Sequence, residues 1–380
     1  MKQGHDPYIA AVFVDWDDMP DEAADVAYIL PVNWLSRLCS KNRVAFFLLG
    51  PLALFYIAFK ASSSADIINP HNFPSHWIAA LIGRIRRIPV IWTCNEPPAP
   101  LSRAGIREIG MADYLGWLLA SSPIDGVFVR GLTAIHVLSE RVRSEIHRRY
   151  GKKSTIIRTG VNLEVFASGS AVRGRSNHDL EGRFVLLAVG KLHPQKNHIE
   201  CIRALKEVCS YLPDPILLIA GDGPMRRALE QEATQLNISE SVRFLGRVSM
   251  PELADLYAAC DINLFPALNQ SWGLTPFEAL CAETISIVSQ DSGAAEIIKA
   301  EGIGLVCEPN SRAIADRILE VHSSPSKIAR MAESGHRFVQ KNLTRTRFAE
   351  GFAKLADSVI SINEGNIHEI AAVSNMDISQ

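Results

Sequence analysis

The sequence lacks the motifs that mark several classes of protein. Its seven cysteines never form a Cys-x-x-Cys pair and most lie in apolar runs, which indicates buried, reduced thiols rather than a disulfide framework or a zinc site. It contains no Gly-x-x-x-x-Gly-Lys-[Ser/Thr] loop, which excludes a Walker A nucleotide site. Residues 1–25 are polar and acidic and include no apolar stretch typical of a secretory signal peptide.

The sequence also lacks an uninterrupted apolar run of membrane-spanning length. Its longest apolar run, at 44–59, reads VAFFLLGPLALFYIAF and is interrupted by Gly50 and Pro51. A helix that crosses a bilayer needs roughly 20 such residues. Three interpretations stay open: a helix buried in a large sheet domain, a helix lying in the membrane interface, and a membrane span.

The length and the charge distribution indicate two domains with different surfaces. A chain of 380 residues exceeds what one hydrophobic core usually serves. Residues 27–165 carry 17 lysines and arginines against 8 acidic residues, a net charge of +9, whereas the whole chain has −2. Either this basic segment faces an anionic partner, such as phosphates or a membrane surface, or it forms an ordinary solvated face.

Apolar runs that alternate with helix-period stretches predict parallel sheets. The second half contains short β-branched runs typical of buried parallel strands. These runs are FVLLAVG (184–190), PILLIAG (215–221), VRFLG (242–246), INLFPA (262–267), ISIVS (285–289) and GLVCE (304–308). The first half alternates less regularly, so we predict an α/β protein with two Rossmann-like, doubly wound domains facing a cleft. Ligands of such sheets bind at the carboxyl ends of the strands.

Composition shifts predict the domain boundaries. The stretch at 168–180 is polar and rich in Gly and Ser, so we interpret it as a linker. The predicted segments are a first domain at 1–167, the linker, a second domain at 181–342, a helix at 343–362 that crosses back to the first domain, and a flexible tail at 363–380. Residues 8–15 (YIAAVFVD) follow no earlier strand or glycine-rich loop, so we expect the sequence to begin one β-α unit late.

Two loops carry candidate ligand-binding residues. Lys191 and Lys196 flank a glycine turn between a strand and a helix, where backbone N–H groups and ammonium groups can bind a phosphate. They can equally be solvated loop residues. At 269–280 (NQSWGLTPFEAL), Thr275 as N-cap, Pro276 at the first helical position and Glu278 two residues further would form a capping box. The same geometry would let Glu278 accept hydrogen bonds from a ligand.

Four ordered stretches together resemble the retaining glycosyltransferases of family 4, which have the GT-B fold. They are Gly190-Lys191-Leu192-His193-Pro194-Gln195-Lys196-Asn197, Gly221-Asp222-Gly223-Pro224, Gln270-Ser271-Trp272-Gly273-Leu274-Thr275-Pro276-Phe277-Glu278 and IIRTGVNLEVF at 156–166. The resemblance covers roughly residues 5–360.

The resemblance implies roles for individual residues. Lys191 and Lys196 would neutralise the diphosphate of a nucleotide-sugar as it departs, and Glu278 would bind the ribose hydroxyls. Gln270 would lie near the transferred sugar and is the third catalytic candidate. The remaining donor-binding candidates are Gly190, Trp272, Gly273, Leu274 and Thr275. The resemblance implies no cofactor and no divalent metal, and it implies that the leaving phosphate takes the acceptor proton.

Three departures from the family pattern affect that expectation. Gln270 stands where the family has Glu, so it keeps an acceptor oxygen but has no charge. Lys191 replaces the commoner Arg and loses a bidentate fork. Glu283 stands at a position usually held by Gly, where a left-handed backbone is costly for any other residue.

The acceptor side is predicted from polar residues at strand ends in the first half. They are His71, Asn72, Asn95 and Glu96. His71 is either a loop-stabilising residue or a functional one. The basic runs at 83–87 and 139–153 favour peripheral contact with an anionic membrane over nucleic acid, because no nucleic-acid-binding module accompanies them.

The sequence therefore predicts an enzyme that moves a sugar from a nucleotide-sugar to a saccharide or lipid-linked glycan with retention of configuration. It would act in cell-envelope polysaccharide biosynthesis, in the cytoplasm or peripherally on the inner face of the membrane. Two alternatives stay open. One is a truncated or degenerate GT-B protein that binds a nucleotide-sugar or a partner without turnover, and the other is a nucleotide-sugar epimerase.

Overall fold

A computed structural model describes residues 9–11, 27–29, 43–71, 75–96 and 123–363. The chain divides into two compact units. Unit 1 comprises residues 1–138, 142–157 and 349–380, and unit 2 comprises residues 139–141 and 158–348. The predicted late start at 8–15 lies largely outside the described residues and stays a prediction.

Unit 1 contains two small parallel sheets with helices. Its strands are β1 (Ile9–Ala11), β2 (Ala27–Ile29), β3 (Ile91–Cys94), β4 (Ala134–Val137) and β5 (Thr155–Ile156). Its helices are α1 (Arg43–Ala61), α2 (Ser75–Arg86), α3 (Pro123–Arg130) and α4 (Glu140–Tyr150). Strands β1 and β2 pair with each other, while β3, β4 and β5 form a sheet in that order. Ile68 and His71 add isolated parallel bridges beside β3.

Unit 2 is built around one six-stranded parallel sheet. Its strands are β6 (Phe184–Val189), β7 (Pro215–Ala220), β8 (Val242–Gly246), β9 (Ile262–Phe265), β10 (Ser286–Ser289) and β11 (Leu305–Cys307). All six predicted strands are confirmed. Their order is β11-β10-β9-β6-β7-β8. The chain adds β7 and β8 on one side of β6 and then crosses over to add β9, β10 and β11 on the other side, so the order reverses between β6 and β9. That reversal is the topological switch point where α/β sheets bind ligands.

Helices connect the strands of unit 2 and pack against its sheet, and the last of them continues into unit 1. They are α5 (Leu163–Phe166), α6 (Ala171–Asn177), α7 (His198–Val208), α8 (Arg226–Gln235), α9 (Met250–Ala259), α10 (Thr275–Cys281), α11 (Ala294–Glu301), α12 (Ser311–Ser323), α13 (Pro325–Asn342) and α14 (Arg345–Asn363). Helix α14 begins in unit 2, and its residues from 349 onward belong to unit 1.

The stretch predicted as a linker, 168–180, contains helix α6 and packs into unit 2. Ser170 caps α6 by accepting a hydrogen bond from the backbone N–H of Arg173, whose guanidinium contacts Asp255 on α9 at 2.8 Å. Gly174 is buried against α9, where a Cβ would lie 2.4 Å from the carbonyl oxygen of Asp255. Its Gly and Ser therefore mark a cap and a close helix contact rather than a flexible connection.

Unit 1 buries a carboxylate at the junction of three helices. Asp125 on α3 is completely buried and accepts hydrogen bonds from His76 Nε2 at 2.8 Å and Trp77 Nε1 at 2.7 Å. Tyr150 on α4 donates to its other oxygen. The His76 ring stacks on Trp92 with centroids 4.4 Å apart. One carboxylate thus joins α2, α3 and α4.

Helix α1 contains the apolar run of residues 44–59. Its face with Ala53 and Ile57 is buried, whereas Leu52 and Tyr56 are exposed. Within the described ranges, no helix combines the length and the apolar composition needed to cross a membrane.

Candidate functional site

The loop after β6 approaches the loop after β7 at two glycines. Gly190 has φ +144°, and its N–H donates to the carbonyl of Ala220. A Cβ at Gly221, which also has φ +144°, would lie 2.0 Å from the carbonyl oxygen of Gly190. Only glycine permits so close a backbone contact. The sequence-predicted Gly190 and the Gly-Asp-Gly-Pro turn are therefore neighbours at the carboxyl edge of the sheet.

The β6 loop brings Lys196 back over the switch point. After exposed Lys191, the chain makes a 3-10 turn at Pro194–Lys196 and enters α7 through Asn197, which is left-handed with φ +56°. The Asn197 amide donates to the carbonyl of Pro309 at 3.0 Å. This contact fixes the end of the loop, and Asn tolerates the left-handed region better than most residues.

Lys196 and Gln270 meet across the switch point. The Lys196 ammonium donates to Gln270 Oε1 at 2.6 Å and lies 5.7 Å from the centroid of the Phe265 ring. Gln270 is held by its backbone, since its N–H donates to the carbonyl of Asp291 and its carbonyl accepts from the N–H of Gly293. Because Gln270 is neutral, it orients the ammonium group without neutralising its charge.

The Trp-Gly turn before α10 packs against β9. Trp272 is buried and stacks on Phe277 with centroids 5.0 Å apart. Gly273 has φ +157°, and a Cβ there would lie 2.5 Å from the Phe265 ring. The predicted Trp272–Leu274 segment therefore lies beside the ring that the Lys196 ammonium faces.

The predicted capping box at α10 is wrong. Leu274 occupies the N-cap position, in right-handed helical geometry and without a side-chain hydrogen bond, so the helix starts one residue earlier than a Thr275 cap requires. The hydroxyl of Thr275 is buried and has no hydrogen-bond partner among the described residues. A buried hydroxyl left without a partner costs free energy, so its presence at a predicted ligand site is consistent with a polar ligand atom there.

Glu278 lies one turn into α10 and uses one carboxylate oxygen. Glu278 Oε2 accepts a hydrogen bond from Tyr257 Oη at 2.9 Å. Burial raises the pKa of the Glu278 carboxyl, although the Tyr257 hydrogen bond opposes this. A carboxylate offers about four acceptor sites, so this contact leaves capacity for ligand hydroxyls. The sequence did not identify Tyr257 as a site residue, because its position in the helical pattern is the one expected of an ordinary buried side chain.

The end of α10 confirms the backbone cost expected at Glu283. This residue has φ +57°, which is the left-handed region that glycine favours. Glu283 is exposed, so the strain is not offset by burial of its side chain.

The acceptor-side candidates lie in unit 1. His71 bridges to Thr93 of β3, and Asn95 and Glu96 follow directly after the same strand. Asn72 lies outside the described residues. The structure also connects His71 to residues that the sequence did not single out, namely Asn69, Thr93 and His136. A histidine and a threonine inside the otherwise apolar strands AIHV and IWTC were the available signal.

Solved structures identify the class of fold. The crystal structure of Anabaena HepE in complex with UDP and glucose matches with a TM-score of 0.71 at 18% identity, covering 87% of this chain and 85% of that one. A Rickettsia africae glycosyltransferase matches with a TM-score of 0.72 at 17% identity, covering 94% and 91%. The protein has the GT-B α/β fold.

Family models narrow that class. A model of glycosyl transferases group 1 matches residues 174–338, and a model of glycosyltransferase family 4 matches residues 1–165. The chain belongs to the group 1 glycosyltransferase family.

Two curated relatives illustrate the family. A GDP-mannose-dependent alpha-(1-6)-phosphatidylinositol dimannoside mannosyltransferase from Mycobacterium tuberculosis is 31% identical over 49% of this chain, a match that spans 48% of the relative's length. The chain thus aligns with about half of that relative. A D-inositol 3-phosphate glycosyltransferase from Thermobispora bispora is 25% identical over 77% of this chain and 72% of its own length.

Proposed function

We propose that the protein transfers a sugar from a nucleotide-sugar to a saccharide or lipid-linked glycan, with retention of the anomeric configuration. The observation that carries the proposal is the Lys196–Gln270 contact of 2.6 Å at the switch point of unit 2. It places a cation beside a neutral amide, next to the glycine turns that allow close approach of a ligand. Several relatives are sugar transferases, and HepE was solved with UDP.

The proposed chemistry divides among the site residues. The bond between the sugar C1 and the phosphate oxygen breaks while C1 bonds to the acceptor oxygen on the same face, and the departing diphosphate takes the acceptor proton. Lys191 and Lys196 stabilise the charge that develops on the diphosphate. Gln270 orients Lys196 and offers its amide to a sugar hydroxyl, while Glu278 accepts from the ribose.

We further propose that transfer needs no divalent metal, because the two lysines supply the positive charge. Among the described residues, no group of three or more His, Cys, Asp or Glu side chains is arranged to hold a metal ion. Transfer should continue at an unchanged rate in excess EDTA. A loss of activity that Mg²⁺ or Mn²⁺ restores would contradict this part of the proposal.

Thermal unfolding with a panel of UDP-, GDP- and ADP-sugars tests donor binding. A ligand at 100 times its dissociation constant stabilises the folded protein by about 2.7 kcal/mol. Binding of one base followed by transfer to a saccharide acceptor supports the enzyme, whereas binding without transfer favours the non-catalytic alternative. A changed sugar formed without any acceptor would identify an epimerase. Absence of both binding and transfer would reject the proposal.

The second partner that we propose is an anionic membrane surface, bound by α1 and α2. Helix α1 exposes Leu52 and Tyr56, which are one turn apart, and α2 exposes Leu81 and Ile85 in the same spacing. Neither helix contains an acidic residue. Exposed apolar side chains with basic neighbours and no acids are typical of helices that lie in a membrane interface.

Basic side chains and one specific contact support this surface. Lys60, Arg84 and Arg87 are exposed at the ends of α1 and α2. Arg86 donates to the carbonyl of Phe59 at 2.8 Å and lies 4.1 Å from its ring centroid, which joins the two helices. A membrane-bound form would place the enzyme on the inner face of the membrane, where a lipid-linked acceptor of the cell envelope would be available.

Flotation with vesicles tests the membrane proposal. Protein should float with vesicles that contain phosphatidylglycerol and not with pure phosphatidylcholine. Leu52→Glu should abolish flotation, whereas the control Val172→Glu, at a residue 79% exposed in unit 2, should not. Equal flotation of both variants would contradict an interface on α1.

A further inference from the structure

Tyr257 on α9 is a polar side chain that the proposed chemistry does not use. Its ring is completely buried, and Phe166 packs against it edge-on with the ring centroids 5.7 Å apart. Its backbone carbonyl accepts hydrogen bonds from the Thr284 hydroxyl at 2.6 Å and from the Cys260 thiol at 3.4 Å. Both the ring and the backbone of Tyr257 are therefore held in place by unit 2 itself.

The Tyr257 hydroxyl donates a hydrogen bond to Glu278. The Tyr257 Oη lies 2.9 Å from Glu278 Oε2. Burial and the charge of Glu278 raise the pKa of Tyr257 well above its ordinary range, so the hydroxyl keeps its proton at neutral pH. An ionised carboxyl group only accepts hydrogen bonds, which fixes the direction of this one. A hydrogen bond to a charged acceptor is also stronger than one between neutral groups.

This hydrogen bond makes the two oxygens of the Glu278 carboxylate different. Oε2 is occupied by Tyr257, whereas Oε1 accepts no hydrogen bond from any residue that the structure describes. Glu278 is partly exposed and its Oε1 is not enclosed by the protein, so a ligand can reach that oxygen. The last torsion of a glutamate side chain is soft. Without Tyr257 the carboxylate would therefore be free to rotate.

We propose that Tyr257 is a positioning residue for donor binding, which holds the Glu278 carboxylate in one orientation with Oε1 available to the ribose hydroxyls of the nucleotide-sugar. This inference rests on the proposed function, in which Glu278 binds the ribose. Tyr257 is completely buried, so it acts only through Glu278. A carboxylate that is oriented before the ligand arrives loses less conformational freedom on binding, which raises the affinity for the donor.

Binding of two paired ligands tests the role of Tyr257. Titration calorimetry compares the nucleotide-sugar that most stabilises the wild type with its 2′,3′-dideoxy analogue. Tyr257→Phe keeps the buried ring and removes only the hydroxyl, so it should weaken binding of the complete donor about fivefold. The dideoxy analogue offers Glu278 no hydroxyl and should bind both proteins equally. An unchanged affinity for the complete donor, or an equal loss for both ligands, would overturn the proposal.

The matched control is Thr284→Val. Thr284 is buried, and its hydroxyl bonds to the backbone of Tyr257 rather than to Glu278. This variant should lower the unfolding temperature and leave the ratio of the two dissociation constants unchanged. An altered ratio in Thr284→Val would contradict a specific role for the Tyr257 hydroxyl.

Transfer kinetics separate positioning for binding from a role in chemistry. The ribose takes no part in bond breaking, so Tyr257→Phe should raise the donor KM about fivefold and leave kcat and the acceptor KM unchanged. A fall in kcat at an unchanged donor KM would contradict the proposal.

Carboxyl ¹³C NMR of the full chain, labelled at glutamate Cδ, tests the contact without a ligand. Burial raises the pKa of Glu278 and the Tyr257 hydrogen bond lowers it, so this pKa should rise in Tyr257→Phe and not in Thr284→Val. The Glu278 signal is assigned by its loss in Glu278→Gln. An unchanged pKa in Tyr257→Phe would overturn the proposal whether or not the protein is a transferase. A raised pKa in a protein that binds no nucleotide-sugar would instead reject the proposed function, and with it the ribose part of this inference.

Discussion

The two units differ in the kind of polar side chain that they bury. Unit 1 buries Asp125 completely, surrounded by His76, Trp77 and Tyr150, and buries His136 in the middle of a strand. Unit 2 buries neutral polar side chains inside its sheet, such as Asn263 on β9 and Ser286 on β10, and keeps Lys196 and Gln270 at the strand ends. From this comparison we expect the buried ionisable groups of unit 1 to stabilise its fold and Lys196 and Gln270 of unit 2 to act in the transfer that we propose.

The largest expected effect tests the chemical role assigned to unit 2. Lys196→Met should lower kcat by about 100- to 1000-fold, because a cation aimed at developing charge contributes about 3–4 kcal/mol in the transition state. Stability should change little. Steady-state kinetics and thermal unfolding check this, with Lys206→Met on the exposed face of α7 as the matched control. An equal loss of kcat in Lys196→Met and Lys206→Met would contradict the chemical role assigned to unit 2.

The next effect tests the structural role assigned to unit 1. Asp125→Asn leaves a buried His76 facing an amide and should lower the free energy of unfolding by about 3 kcal/mol. Urea unfolding measures this, and nucleotide-sugar binding by the remaining folded protein should be unchanged. The control is Asp255→Asn, whose partner Arg173 is 61% exposed, and it should have a much smaller effect. Loss of donor binding in Asp125→Asn would contradict the division of roles.

The pH dependence of stability should involve both units. Burial lowers the pKa of His136 in unit 1 to about 4, and burial together with the Lys196 charge lowers the pKa of His198 in unit 2 to about 4. In the unfolded protein both imidazole rings bind protons below about pH 6.5, whereas in the folded protein they stay neutral until about pH 4. Stability is therefore fully present above pH 6.5 and is lost on acidification, by about 1.4 kcal/mol per pH unit for each ring.

Variants separate the two contributions to that slope. His136→Gln and His198→Gln should each flatten the dependence of unfolding free energy on pH between 6.5 and 4, whatever their effect at neutral pH. Asp125 affects the free energy of unfolding only at a still lower pH. Burial opposes its ionisation, but hydrogen bonds from His76, Tyr150 and Trp77 lower its pKa, so its contribution persists until the pH falls below its ordinary value of 3.8. A slope unaffected by both histidine variants would refute the assignment.

The smallest effect concerns the departure at Gln270. Gln270→Glu keeps the oxygen that accepts from Lys196 and adds a charge that stabilises a positive sugar, but it also neutralises part of the Lys196 charge. These effects oppose each other, so kcat should rise only a few-fold. That is less than the tenfold rise that would follow if the activation free energy fell by about 1.4 kcal/mol. Gln270→Leu, which has no acceptor, should lower kcat. Transfer assays with both variants decide whether the neutral amide limits the rate.

Much of unit 2 could be predicted because its signals are local. Strand β6 and the five other strands of its sheet each appear as a short β-branched run, and Gly190, Gly221 and Gly273 mark turns that no other residue permits. The segment at 168–180 was misread since Ser and Gly are common both in linkers and at helix caps and contacts. Thr275 was misread as a cap because the start of a helix depends on how the preceding turn packs.

Unit 1 was harder to predict because its important contacts are distant in sequence. The hydrogen bonds that join Asp125 to His76 connect residues 49 apart, and those that join Thr93 to His136 connect residues 43 apart. A polar residue inside an apolar run shows that a partner must exist, but it does not identify the partner. Strand register and helix packing decide that.

The amino-acid sequence by itself determined the alternation of strands and helices, the positions of the glycine turns and the family, because each depends on residue type and short spacing. Only the tertiary structure decided that Lys196 meets Gln270 and that Glu278 accepts a hydrogen bond from Tyr257. The physical reason is that a hydrogen bond depends on atoms within about 3 Å of each other. Parallel strands bring such atoms together from residues that lie far apart along the chain.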